Sequence, residues 1–262
     1  MNRPVIQAFG LSERVFDVLL QGARVNDPVT FKRLEIRGGN PITSGDLNGG
    51  GIKSVGAKLE VADCIIADCA VSGDGGGIFA SAPTATSVTI SDNTKIEHNT
   101  ALGNGGGVAI SGATLTIKSA VKITGNEAGL GGGGLYVVGS NSIHLDGDGG
   151  LLSIDHNTAY DGDGGGVLVV NGGAAAGAIV DLRETTITSN IAYRDGLSHG
   201  GGIAVFGAYK VDSDTNTTIS NNGEDELPPA TAPFAWGVYL DPAVLGTSTL
   251  PANAVLVGNY RN

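Results

Sequence analysis

The sequence predicts an all-β chain wound as a parallel β-helix, a solenoid of about seven coils with three strands per coil. Two markers and their shared phase carry that reading. Glycine triplets begin at Gly49, Gly75, Gly105, Gly132, Gly164 and Gly200, each leading into an alternating apolar strand, with a decayed copy at Trp236-Gly237-Val238. An isoleucine followed three residues later by asparagine recurs at Ile96/Asn99, Ile123/Asn126, Ile154/Asn157, Ile187/Asn190 and Ile219/Asn222. Both markers keep one phase over a period of roughly thirty residues, which no chance glycine run would do.

The stretch from Thr100 to Ala128 shows one whole coil. After Gly105–Gly107 comes Val108 to Ser111, then Leu115 and Ile117 alternating with Thr114, Thr116 and Lys118, then Val121 to Thr124 ending at Asn126. Residues 1–40 read as an incomplete first coil, 41–222 as regular coils, and 223–262 as a degenerate last coil with an acidic, proline-rich loop, all within one domain. Glycine suits a corner that needs positive φ or close backbone approach. Asparagines stacked at one bend can satisfy backbone that is cut off from water.

Composition sets bounds. The 41% hydrophobic content fills a core, and a net charge of −11 without a basic run excludes nucleic acid as the expected partner. No apolar run approaches the length of a membrane span, so no membrane insertion is expected. Cys64 and Cys69 read as two small buried residues rather than a disulfide or a metal pair. Uncovered strand edges at a solenoid end leave end-to-end or lateral self-association open.

The runs Arg14-Val15-Phe16-Asp17-Val18 and Leu34 to Gly39, with the repeated glycine triplets and Ile-x-x-Asn, resemble secreted right-handed parallel β-helix proteins of pectate-lyase-like architecture. They are also similar to polymorphic outer-membrane-protein and autotransporter-type surface repeats, which usually carry phenylalanine where this chain has isoleucine. The resemblance implies a right-handed helix and an exported protein, secreted or at the cell surface. It leaves activity open, since such repeats serve adhesins, matrix proteins and polysaccharide-acting enzymes.

Strand parity sorts the side chains. In the glycine-led strands Ile78, Val108, Ile110, Leu135, Val137, Val167, Val169, Ile203 and Val205 face inward. Phe79, Ala109, Tyr136, Leu168 and Ala204 then form one outward column, with Val138, Val170 and Phe206 in the next. Such an apolar face reads either as scattered aliphatics on a β surface or as a sign of a partner, a covering loop or a sugar-stacking surface. Trp236 and Tyr239 extend the aromatic set in the last coil, where Trp236 either shields the end or offers a platform.

The second strand brings together the one set of acid, base and cation: His144 and Asp146 in one coil, Asp181 and Arg183 in the next. These residues read either as a solvated ion-pair cluster or as the catalytic groups of a carbohydrate-active enzyme, whose carboxylates would need convergence and shifted pKa values. Turn positions before the triplets carry Asn48, Asp74, Asn104, Asp163 and His199. Asp161, Asp163 and His199 are the only metal candidates, for weak calcium at most, because each turn supplies too few oxygen ligands. The expected function is a structural or adhesive module that binds a glycan or a protein partner, with no cofactor required. The alternative is a polysaccharide lyase or glycoside hydrolase on the same scaffold.

Overall fold

The computed structural model describes residues 3–19, 27–42, 46–82, 86–174, 178–193, 199–207, 209–225, 237–240, 255–257 and 260–261. Every element among them is a strand, and every pairing is parallel, each strand bonding to its counterparts in the coils before and after it. The chain is a parallel β-solenoid.

One coil shows how the sequence becomes structure. Val108–Ser111 lies in the glycine-led sheet, Thr114–Lys118 in a second sheet and Lys122–Thr124 in a third, as the alternation predicts. A fourth strand, Glu127–Ala128, follows the asparagine and was not foreseen. It belongs to a narrow sheet whose members between Ala70 and Ala159 are two residues long, too short to show a period of two. The glycine-led sheet has eight strands, the third nine, and the other two seven each. Seven of those eight strands follow the seven glycine markers, including Val238–Leu240 after the decayed one, and the eighth is Phe16–Leu19 of the incomplete first coil.

The core is a set of one-residue columns. Ile36, Ile66, Ile96, Ile123, Ile154 and Ile187 stack in register with no solvent exposure. Ile78, Val108, Leu135, Val167 and Ile203 stack likewise beneath the glycine-led sheet, none more than 1% exposed. Each such side chain contributes about 1.5–3 kcal/mol by leaving water. A column of alanines, Ala101, Ala128, Ala159 and Ala192, lines the narrow sheet. Cys64 and Cys69 are buried free thiols, as expected. Burial pushes the Cys69 thiol up to about 11.

The two sequence markers turn out to be one device. Asn126 donates from Nδ2 to Asn157 Oδ1 (3.0 Å) and to the Ile96 carbonyl (2.9 Å), and its Oδ1 accepts from Asn99 N and Asn99 Nδ2 (both 3.0 Å). Those four bonds use the whole capacity of a primary amide. The pattern runs without a break through Asn99, Asn126, Asn157, Asn190 and Asn222, all fully buried. Cys69, at the equivalent position one coil earlier, has its N–H received by Asn99 Oδ1. From Gly77 onward the third glycine of each triplet packs on the ladder: a Cβ at Gly134 would stand 2.9 Å from Asn157 Nδ2 and 2.8 Å from the Gly166 carbonyl. Any larger residue there would push the amides off their partners.

Asn157→Ala strands two donors of Asn126, the Ile123 carbonyl and part of Asn190 in a dry interior. At about 1–3 kcal/mol per orphaned group, it should lower the unfolding free energy by at least about 3 kcal/mol. Asn216→Ala on the exposed surface should stay within about 0.5 kcal/mol. Urea unfolding of the two variants beside the parent chain checks this; equal stabilities would refute the ladder's role.

Candidate functional site

The predicted outward column exists, and pairing extends it at both ends to Asp17, Lys53, Phe79, Ala109, Tyr136, Leu168, Ala204 and Tyr239. Val138, Val170 and Phe206 follow each other in the next column. The face is less open than parity alone predicts, for Ala109, Leu168 and Ala204 are buried. The first glycine of each triplet has positive φ and folds back over the residue four positions on. A Cβ at Gly105 would touch Ala109 Cβ at 2.9 Å, and one at Gly132 would touch Tyr136 Cα at 3.0 Å. The next turn adds to this cover, with Gly131 against Leu168 Cδ2. The chain's own backbone is thus the covering loop, and only long side chains reach past it.

Two groups do reach past it. Phe79 and Tyr136 flank the buried Ala109 and, with Asp74, Ile110, Ser111 and Val138, enclose a cavity of about 160 Å³. Burial, reinforced by the Asp74 carboxylate, raises the Tyr136 phenol above its usual value. At the downstream end Phe206 and Tyr239 pack with ring centroids 5.0 Å apart, and His199 lies 4.2 Å from Tyr239. Trp236 lies outside the described residues.

The turn residues form a second ladder. Asn48 Oδ1 accepts from Asp74 N (2.7 Å), Asp74 Oδ1 from Asn104 N (2.6 Å), Asn104 Oδ1 from Gly131 N (3.1 Å) and Asp163 Oδ1 from His199 N (2.7 Å). His199 Nδ1 also stands 3.1 Å from Asp163 Oδ1. Of the metal candidates, Asp163 and His199 therefore meet, through an oxygen already used in the fold, while Asp161 is exposed. Among the described residues no three His, Cys, Asp or Glu side chains converge on a point that could hold a metal ion.

The polar cluster also assembles as paired: His144 registers with Asp181, and Asp146 with Arg183. Arg183 Nε donates to Asp181 Oδ2 (3.0 Å), its Nη2 forms an ion pair with Oδ1 (3.0 Å) without hydrogen-bond geometry, and the carboxylate holds the guanidinium above its ordinary value. His144 Nδ1 is 3.6 Å from Asp181 Oδ2, and Ser142 Oγ is 2.7 Å from its Nε2. His144 is 41% exposed and Arg183 48%, while Asp181 between them is 19% exposed, so two of the three partners face water.

One exposed stripe escaped the sequence reading. Leu102, Leu130 and Tyr160 are exposed on successive coils beside the narrow sheet, and Tyr193 stacks on Tyr160 with centroids 5.9 Å apart and planes within 10°. Counting three residues on from Asn99, Asn157 and Asn190 reaches Leu102, Tyr160 and Tyr193, with Leu130 four on from Asn126, a signal hidden by counting from the glycines.

Asp155 is a buried carboxylate held by three side-chain hydrogen bonds. Burial pushes it up, but hydrogen bonds from Ser153 (2.6 Å), Thr124 (2.6 Å) and His156 (2.8 Å) outweigh that and leave it below the usual range. Asp46 and Asp214 are lowered by the same balance. A carboxyl whose folded value lies below its unfolded one adds stability above the unfolded value, near 3.9, and loses it as pH falls through the folded one. The melting temperature should therefore fall steeply below about pH 4, and Asp155→Asn should flatten part of that fall; an identical acid limb in parent and variant would contradict the assignment.

Comparison with protein-family models, curated proteins and solved structures finds no match to this chain.

Proposed function

We propose that the chain is a structural and adhesive module of a secreted or cell-surface protein, a rod that holds a binding face for a glycan or protein partner. The observation that carries this reading is the aromatic-bearing outward face of the glycine-led sheet. There Phe79, Tyr136, Phe206 and Tyr239 stay partly exposed beside a backbone that buries Ala109, Leu168 and Ala204 between them. Aromatic groups fixed on a rigid sheet lose little entropy on binding. Repetition along the rod provides several contacts for one extended partner. The sequence likeness to exported β-helix and surface-repeat proteins supports the location, and fold likeness alone carries no activity.

An enzymatic reading rests on His144, Asp146, Asp181 and Arg183. It is favoured by the contact of His144 with the largely buried Asp181 and opposed by the exposure of His144 and Arg183.

Capture on a glycan array or on cell surfaces, run beside polysaccharide turnover, separates the two. The adhesive reading expects retention by the parent chain and at least about tenfold weaker capture by the double variant Tyr136→Ser, Phe206→Ser, without turnover. Absent capture together with turnover that Asp181→Asn abolishes would establish the enzyme instead.

A further inference from the structure

We infer that the notch between Phe79 and Tyr136 receives an alkylammonium group, the head of a lysine side chain presented by a protein partner. The inference rests on the binding-face reading above and gives one position of that face its chemistry.

Size restricts the notch to a single head group. Its volume of about 160 Å³ is below the roughly 300 Å³ at which pockets begin to hold drug-sized ligands. Phe79 and Tyr136 lie two rungs apart in one column with Ala109 as the floor. At about 4.8 Å per rung, the backbone positions that carry the two rings each lie about 5 Å from that of Ala109, so a group held in the notch lies between the two aromatic side chains that line it. A cation is drawn to an aromatic face over roughly 6 Å.

Charge then selects among small groups. Asp74 Oδ1 is engaged by Asn104 through its N (2.6 Å) and Nδ2 (3.2 Å), while Asp74 Oδ2 is left without a hydrogen bond among the described residues. An anionic ligand would meet that carboxylate in a chain of net charge −11. An apolar one would strip its water without replacing it. An ammonium is the small group whose chemistry matches both the carboxylate and the aromatic side chains of the lining.

The chain already seats such a group on this face. Lys53, which registers directly with Phe79, lays its stem along the sheet with only 9% of the side chain exposed and places Nζ 2.5 Å from the turn carboxylate of Asp46. Two rungs on, Ala109 leaves the corresponding space empty of side chain.

The test titrates the whole chain with the peptide Gly-Lys-Gly, with its Nε-trimethyl and Nε-acetyl forms, and with glucosamine, following amide signals of Ala109 and Tyr136 by NMR. The free and trimethylated peptides should give saturable shifts, and the acetylated one should bind at least about tenfold more weakly. Asp74→Asn should cost about tenfold with melting unchanged, because asparagine keeps the Oδ1 acceptor and already stands in equivalent turns at Asn48 and Asn104. Ala109→Leu should abolish binding, and the column accepts leucine at Leu168. Equal binding of acetylated and free peptide, shifts that survive Ala109→Leu, or no shift at Ala109 and Tyr136 would each overturn the inference. Glucosamine binding as tightly as the peptide would overturn the assignment to a protein lysine. Surface capture that persists in the parent chain and is lost in Phe206→Ser, with no peptide binding, sinks the notch and leaves the adhesive reading standing.

Discussion

An amide sealed from water must find four hydrogen-bond partners inside the protein, and in this solenoid each interior ladder asparagine finds them in its neighbouring coils. The demand is reciprocal, since the oxygen of one coil is the only acceptor for two donors of the coil before it. A coil displaced by one residue would break the ladder on both sides and also carry every inward isoleucine to the solvent face. The glycine triplets belong to the same constraint, because the amides occupy the space that a Cβ at Gly107, Gly134 or Gly166 would need. Neither marker could drift without the other.

The face outside follows from the fold inside. Because the triplet must turn through a left-handed glycine, its backbone falls over the column four residues on, burying short side chains and leaving long ones to project. Recognition on this sheet therefore depends on the few positions with aromatic reach and on what separates them. Ala109 between Phe79 and Tyr136 makes a notch, whereas Leu168 beside Tyr136 fills the space under Gly131. The acidic turns are first a second set of backbone acceptors, and Asp74 keeps one oxygen beyond that duty.

Much of this was legible in the sequence, for definite reasons. Parity fixed the inward set from Ile78 to Val205 because a strand's period is two and the markers held each strand in phase. The pairing of His144 with Asp181 followed from the same register. The narrow fourth sheet did not emerge, since Thr100–Ala101 and its counterparts are too short for any period. Cover by the glycine turns was also hidden, because it depends on the sign of φ rather than on residue pattern. The Tyr160 and Tyr193 stack stayed unseen because six residues separate Asn99 from Gly105 but ten separate Asn190 from Gly200, so counting from the glycines scatters a column that the asparagines align.

The asparagine ladder should be the part of the solenoid that opens last. Native-state hydrogen exchange reads this directly at the backbone amides of Asn99, Asn126, Asn157 and Asn190, each received by the next asparagine's Oδ1. These four should exchange only through global unfolding and share one free energy equal to that from denaturant unfolding. Exchange of the ladder amides through local opening, faster than the amides of the outward strands, would contradict it.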